Sequence, residues 1–166
     1  MLRLDAWKIM NEKSRRFGAW LRWLLLCTLL PVSACASNEV TTGIANGRLN
    51  PCPESPNCVS SDATDEQHRV EPYRLKSAPQ QAWHGLQNVI AAEQRKRLVT
   101  VDDTYMHVEF VSAVFRFVDD VEFHLRPDDG IIAVRSASRT GYSDMGVNRK
   151  RVESIRKAMR TRDLIE

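Results

Sequence analysis

Side chains that could bind a ligand or move a proton concentrate in residues 112–120 and 135–149. Arginines beside the N-terminus of a helix suit an anionic ligand such as a carboxylate or a phosphate. An aspartate next to them could instead act as a general base, with an arginine stabilising negative charge. The candidate ligand-binding residues are Ser112, Arg116, Asp119, Asp120, Arg135, Ser136, Ser138, Arg139, Tyr142, Asp144, Asn148 and Arg149.

A structural role is the competing interpretation of the same residues. Ion pairs and hydrogen bonds would close one end of the domain, and Asp144 would be the N-cap of the last helix. Asp119 and Asp120 point to opposite faces of a strand, so no metal site is predicted. His107 and His124 fall on the outward parity of neighbouring strands, which is more typical of a solvated or satisfied surface than of a catalytic pair. The sequence contains no nucleophile elbow, P-loop or dinucleotide fingerprint, so no cofactor is predicted and a non-enzymatic role is favoured.

The N-terminal segment predicts where the protein resides. A basic stretch and a short apolar run over residues 23–30 precede the lipobox Val32-Ser33-Ala34-Cys35. This run is too short to span a bilayer, which takes ~20 residues, and the pattern predicts a lipoprotein signal over 1–34 with a lipid on Cys35. Ala36 in place of Asp favours the outer membrane, facing the periplasm. An ordinary signal cleaved near Ala34 or Ala36 is the alternative, and the initiator is Met1 or Met10.

The remaining cysteines, Cys52 and Cys58, flank a proline-rich loop and predict a structural disulfide in an oxidising compartment. The chain of 166 residues carries a net charge of +3, of which residues 1–34 carry +4, so residues 35–166 carry −1. The basic balance therefore belongs to the signal, and nucleic-acid binding is not predicted.

Periodicity predicts how the mature chain is organised. Residues 35–49 lack periodicity and predict a flexible tether, followed by a single domain over 50–166. The predicted elements are an edge strand at 68–75, a helix at 78–94 starting from a capping box at Ser77, strands at 97–101, 105–114, 118–125 and 131–136, and a helix at 144–160. Met106, Val108, Phe110 and Val114 alternate inward along the second of those four strands. The fold class is α+β, a two-layer arrangement of two helices on an antiparallel sheet of four to five strands in the order β-α-β-β-β-β-α.

This topology gathers the candidate residues at one end of the sheet. In an antiparallel meander, Ser112 ends one strand where Asp119 begins the next, and Arg135 and Ser136 end the fourth strand at the same place. Ser112, Asp119 and Asn148 are predicted to point into the core layer and to satisfy one another.

Several motifs carry a family resemblance. They are Asn50-Pro51-Cys52-Pro53, Ser55 to Ser61, Phe115 to Phe123, Arg135-Ser136-Ala137-Ser138-Arg139, Gly141-Tyr142-Ser143-Asp144 and Gly146 to Arg151. Together they resemble the domain-of-unknown-function family 1499 of bacteria and plant chloroplasts, over roughly residues 48 to 160. The resemblance implies no activity, and its signature residues coincide with the polar end of the sheet.

The leading functional hypothesis is a membrane-anchored envelope lipoprotein that binds a small anionic ligand or a partner protein at the polar cluster. The alternatives are a hydrolase with Asp119 or Asp120 as general base and Arg135 or Arg139 steadying charge, and a structural or assembly factor with an exposed apolar patch.

Overall fold

The computed structural model describes residues 41–166, so the predicted signal, the lipidation at Cys35 and the first part of the tether lie outside the described residues. The elements are β1 (Ile44–Ala45), β2 (Arg48–Leu49), β3 (Cys58–Ser60), β4 (Tyr73–Arg74), α1 (Pro79–Ala92), β5 (Lys96–Val101), β6 (Tyr105–Val111), β7 (Val118–Arg126), β8 (Ile131–Ser138) and α2 (Val147–Thr161). Neither helix of this part of the chain has the length and hydropathy needed to span a bilayer.

The main sheet is antiparallel and has six strands. Its order is β3-β8-β7-β6-β5, and β4 pairs with the beginning of β8. The predicted α+β class is confirmed, but the strand count exceeds the predicted four to five because β3 was not foreseen. Its three residues begin at Cys58, where the cysteine loop ends, and show no alternation, and they pair with β8 at the far edge of the sheet.

Both helices cover one face of the sheet and enclose the hydrophobic core. Helix α1 buries Trp83 and Leu86, and α2 buries Ile155, against inward side chains such as Phe123 of β7. The apolar side chains that recur every 3.6 residues along the helices and every two residues along the strands therefore form one apolar layer. Val114 was predicted to point inward and is instead 78% exposed, because β6 ends at Val111.

Several predicted boundaries were wrong for local reasons. The strand expected at 68–75 shrinks to β4, since Pro72 lacks the N–H that a ladder needs. The capping box does not form: Ala78 is the N-cap of α1 without a side-chain hydrogen bond, and Ser77 donates to the Leu164 carbonyl instead. Helix α2 begins at Val147 because Gly146 takes a left-handed conformation with φ 77°.

A small hairpin lies on the sheet face opposite the helices. Strands β1 and β2 pair with each other and lie against β7 and β8, which buries Leu49 to 3% exposure. Residues 44–49, which were predicted to belong to the flexible tether, form this hairpin instead. The predicted disulfide is confirmed, with Cys52 bonded to Cys58, and it links the chain leaving the hairpin to strand β3.

Candidate functional site

The pleat of the sheet divides the predicted polar cluster between two faces. Asp119 and Ser138 share the helix side with the core residues of their strands, whereas Asp120, Arg135 and Arg139 share the hairpin side. Successive strand residues point to opposite faces, so neighbours in sequence enter different environments. The structure therefore contains two polar networks in place of one pocket.

The helix-side network is built around Asn148, which is fully buried on α2. Its Nδ2 donates to Ser138 Oγ over 2.9 Å, and its Oδ1 accepts from Ser136 Oγ over 2.6 Å. Ser138 Oγ donates in turn to Asp119 Oδ1 over 2.6 Å. Arg151 closes the ring with donors to Asp119 Oδ2 at 2.6 Å and to Asn148 Oδ1 at 2.7 Å. Asp119 and Asn148 are therefore joined through Ser138 and Arg151.

The cysteine loop is tied to this network through Asn57, which sequence reasoning did not select as a site residue. The Asn57 carbonyl accepts from Asn148 Nδ2 over 2.9 Å, and Asn57 Nδ2 donates to the Gly141 carbonyl over 2.6 Å. Ser55 Oγ donates to Asn57 Oδ1 over 2.7 Å. Only the place of Asn57 in the family motif could have indicated this role, because Gly141 and Asn148 lie more than 80 residues away in sequence.

The first part of the hairpin-side network is a buried ion pair between Glu122 and Arg135. Glu122 is 0% exposed and Arg135 1% exposed, and Arg135 Nη1 donates to Glu122 Oε2 over 2.7 Å. Tyr105 Oη and the Gly43 amide donate to the other carboxylate oxygen, at 2.8 and 2.5 Å. Arg135 Nε is buried without a hydrogen-bond partner among residues 41–166.

The second part links five charged or titratable side chains across β5, β6, β7 and β8. His107 Nε2 lies 2.7 Å from Asp120 Oδ1, and Arg139 Nε donates to Asp120 Oδ2 over 2.8 Å. Arg139 also bonds Glu109, and Arg97 donates to Glu109 over 2.7 and 2.8 Å. Burial alone raises the pKa of Asp120, but hydrogen bonds from His107 and Arg139 outweigh it and lower that pKa below its ordinary value.

These contacts decide what the networks can do chemically. Asp120 is held ionised by its donors, so it is a weak base. The guanidinium groups of Arg135, Arg139 and Arg151 already bond carboxylates of the chain, and an anionic ligand would have to displace them. His107 is only 7% exposed, so this outward face is satisfied and covered rather than solvated.

The other predicted residues lie in loops or on the outer surface of α2. Ser112 does not join Asn148, since its Oγ accepts from the Phe117 amide over 2.9 Å and holds the β6–β7 loop. Asp144 is not the N-cap residue, yet its carboxylate accepts from the amides of Gly146 and Asn148 at 2.9 and 2.7 Å. It thereby satisfies donors at the start of α2 that the helix leaves unpaired.

Arg149 is exposed and donates to the carbonyls of Arg69 and Gln67 over 2.8 and 3.0 Å. Arg116 is exposed in the β6–β7 loop with φ 58°, and Tyr142 is 78% exposed in the β8–α2 loop. The structure therefore does not bring Arg116, Tyr142 or Arg149 into either buried network.

Two loops at this end of the sheet expose several large apolar side chains. The β6–β7 loop and the β8–α2 loop are neighbours, because the Arg139 amide donates to the Val118 carbonyl over 3.1 Å. The large apolar side chains exposed on these loops and at the start of α2, here termed the loop end, are Val114, Phe115, Phe117, Tyr142, Met145 and Val147. The Phe115 and Phe117 rings stack with their centroids 5.6 Å apart.

Comparison with known proteins identifies one relationship. The model of a protein family of unknown function (DUF1499) matches residues 48–159, which is more than half of the chain. No curated protein and no solved structure matches the chain. The matched residues include the loop end and every side chain of the two buried networks.

Proposed function

The chain belongs to the DUF1499 family, and from this premise we propose that it is a lipid-anchored protein of the cell envelope that acts by binding rather than by catalysis. The binding surface is the loop end. Both buried networks bond the β8–α2 loop, at Gly141 and at Arg139, so they serve the function through the fold.

The observation that carries this proposal is the exposure of the loop end. Val114, Phe115 and Met145 are 78%, 74% and 89% exposed. Contiguous apolar surface on a folded protein commonly marks a contact with a protein or a membrane. Asp119 and Ser138 of the helix-side network lie at the strand ends next to these two loops. Asn57 Nδ2 bonds the Gly141 carbonyl of the β8–α2 loop, and Ser112 Oγ bonds the Phe117 amide of the β6–β7 loop, so each loop is tied by a side chain.

The buried networks support a structural role more than a ligand pocket. Each carboxylate of Asp119, Asp120 and Glu122 bonds a guanidinium of the chain at 2.6 to 2.8 Å. A small anion would have to compete with carboxylates that are already desolvated and positioned. Removing a partner from such a pair leaves a buried charge without compensation, which is strongly destabilising.

The hydrolase alternative draws less support from the geometry. A general base that works near neutral pH needs a pKa close to that pH, and burial or a neighbouring negative charge usually raises the pKa of a carboxyl group toward it. The pKa of Asp120 is lowered instead. Asp119 is bonded to both Ser138 and Arg151, which leaves it oriented as an acceptor within the network.

Two features support the proposed lipid anchor at Cys35. One is the lipobox that ends at this cysteine, and the other is the disulfide, which suits an oxidising compartment. Metabolic labelling with an alkyne analogue of palmitate tests the anchor. The wild-type chain should carry the label and Cys35→Ser should not. Equal labelling of the two chains, or none in either, would contradict lipidation at Cys35.

The binding surface is tested by photo-crosslinking in the native envelope. A photoreactive residue replaces Phe115 in one variant and Asp129 in a matched control, since Asp129 is also exposed but lies in the β7–β8 turn at the opposite end of the sheet. We expect a discrete adduct, to protein or to lipid, from position 115 only. Absence of any adduct at 115, with the chain folded and correctly located, would refute the loop end as a binding surface.

A further inference from the structure

We infer that the loop end docks on the surface of an anionic lipid bilayer, with Phe115 and Phe117 entering the interface beside Arg116. This inference rests on the proposed function and identifies the partner of its binding surface. Three features of the described residues and one limit on chain length support it.

The first feature is the chemistry of the loop tip. The sequence Val114-Phe115-Arg116-Phe117 exposes two stacked aromatic rings and a guanidinium on consecutive residues. Phenylalanine is among the apolar side chains that bury at the boundary between headgroups and acyl chains, and arginine can bury its stem while its charge stays among the headgroups. This combination matches an interfacial wedge better than it matches a solvated loop.

The second feature is charge. Arg116 in the β6–β7 loop and Lys150 in the first turn of α2 are exposed, and neither forms an ion pair with an acidic side chain among residues 41–166. Arg149 beside them is exposed as well, but its guanidinium bonds the carbonyls of Arg69 and Gln67. Residues 35–166 carry −1 overall, so this positive surface is a local excess within a slightly acidic domain. An anionic surface would attract this end of the domain in preference to the others.

The third feature is that the loop is held from behind. Ser112 Oγ accepts from the Phe117 amide, and the Ser112 amide donates to the Phe117 carbonyl over 2.9 Å. These paired bonds close the loop on itself, so docking would not have to order it. The entropy that a flexible loop loses on binding is therefore largely absent.

Chain length makes this contact geometrically accessible. Eight residue steps separate Cys35 from Gly43, which allows a reach of at most ~29 Å from an acylated Cys35. The Gly43 amide bonds Glu122, and five residue steps along the strand lead from Glu122 to Phe117, a distance of ~17 Å. An anchored domain is thus close enough to the bilayer for the loop end to rest on it.

The test uses the acylated full chain in liposomes, with one fluorescent label at a new cysteine. Ala113→Cys places the label beside the tip without removing either phenylalanine, and Asp129→Cys places it at the opposite end as the matched control. Lipids carrying a quencher near the headgroup report proximity, in vesicles with and without phosphatidylglycerol. We expect strong quenching at 113 and weak quenching at 129 in the anionic vesicles.

Arg116→Ala should lower the ratio of docked to undocked domain about fivefold, since one basic residue near an anionic surface contributes ~1 kcal/mol. Phe115→Ser with Phe117→Ser should abolish the difference between the two label positions. Both substitutions are at exposed side chains, and unchanged thermal melting would confirm the fold. The inference is overturned if the labels at positions 113 and 129 are quenched equally. It is also overturned if quenching at position 113 changes neither with Arg116→Ala nor with the charge of the lipids.

Failure of this inference is distinguishable from failure of the proposed function. The mass of the N-terminal peptide reports acylation of Cys35 independently of the loop. An acylated chain with equal quenching keeps the anchor and rejects the bilayer as partner, leaving a protein partner for the crosslinking experiment. A chain without acylation rejects the anchor, while the contrast between positions 113 and 129 still decides the docking.

Discussion

Replacing Arg135 by methionine should destabilise the protein by about 3 kcal/mol, near the lower limit of the roughly 3–5 kcal/mol typical when one partner of a buried ion pair is removed. The substitution keeps an unbranched chain but leaves the Glu122 carboxylate at 0% exposure without its cation. Two features keep the loss near the lower limit. Glu122 retains its donors from Tyr105 and Gly43, and the variant also removes the unpartnered Arg135 Nε.

The measurement is urea unfolding followed by circular dichroism and tryptophan fluorescence. With a slope of about 1–3 kcal/mol per molar urea, the midpoint should fall by roughly 1–3 M. Arg97→Met is the matched control, because Arg97 also pairs with a carboxylate but its side chain is 67% exposed. Glu109 keeps its bond from Arg139 after this substitution, and water screens a pair whose cation is exposed, so the control should lose at most ~1 kcal/mol.

A second substitution separates charge from packing. Glu122→Gln in the Arg135→Met background removes the buried charge and keeps an acceptor for Tyr105, so it should recover part of the lost stability. If Arg135→Met costs no more than Arg97→Met, the pair does not stabilise this face and our reasoning about the hairpin-side network is refuted.

Three further predictions concern packing, the disulfide and acid. Gly85→Ala should destabilise the fold by about 1 kcal/mol in thermal melting, because a Cβ there would lie 2.2 Å from Leu164 Cδ1 and overpacking outweighs the gain in helix propensity. Gly85→Ala should cost less in a Leu164→Ala background than in the wild type, and an equal cost in both backgrounds would argue against the clash. Reducing the bond between Cys52 and Cys58, or replacing both residues by serine, should lower the free energy of unfolding by about 2 kcal/mol for so short a loop. The urea midpoint of the wild type should fall when a reductant is added and should not fall without it. Stability should also fall as the pH drops below about 3.8, the ordinary pKa of an aspartate, toward the lower pKa of Asp120 in the folded protein. A carboxyl group whose pKa is lowered by folding stabilises the fold fully above its unfolded pKa, and this stabilisation is lost as the pH falls through the folded pKa. Stability should depend less steeply on acid pH in Asp120→Asn, and an equally steep dependence would exclude Asp120 as a cause.

The sequence alone determined the elements whose patterns are local. Helix α1 and strands β5, β7 and β8 lie within two residues of their predicted bounds. A clear period of hydrophobic side chains marks α1, β7 and β8, and the β-branched residues Val99, Thr100 and Val101 mark β5. The disulfide was predictable from the spacing of its cysteines and the expected compartment. The convergence of Asp119, Ser136 and Ser138 at one end of the sheet followed from strand order, since antiparallel connections fix which strand ends are neighbours.

Tertiary structure alone decided that the polar side chains on the hairpin side of the sheet are buried. The outward face of β6 and β7 was predicted to be solvated or satisfied, as the second face of a two-layer fold commonly is. The hairpin β1–β2 covers part of that face and places Gly43 on Glu122. Such a contact joins residues 79 positions apart, and it depends on shape and charge after folding rather than on any local pattern. The same limit applies to β3, a three-residue strand that exists only because β8 offers it a pairing edge.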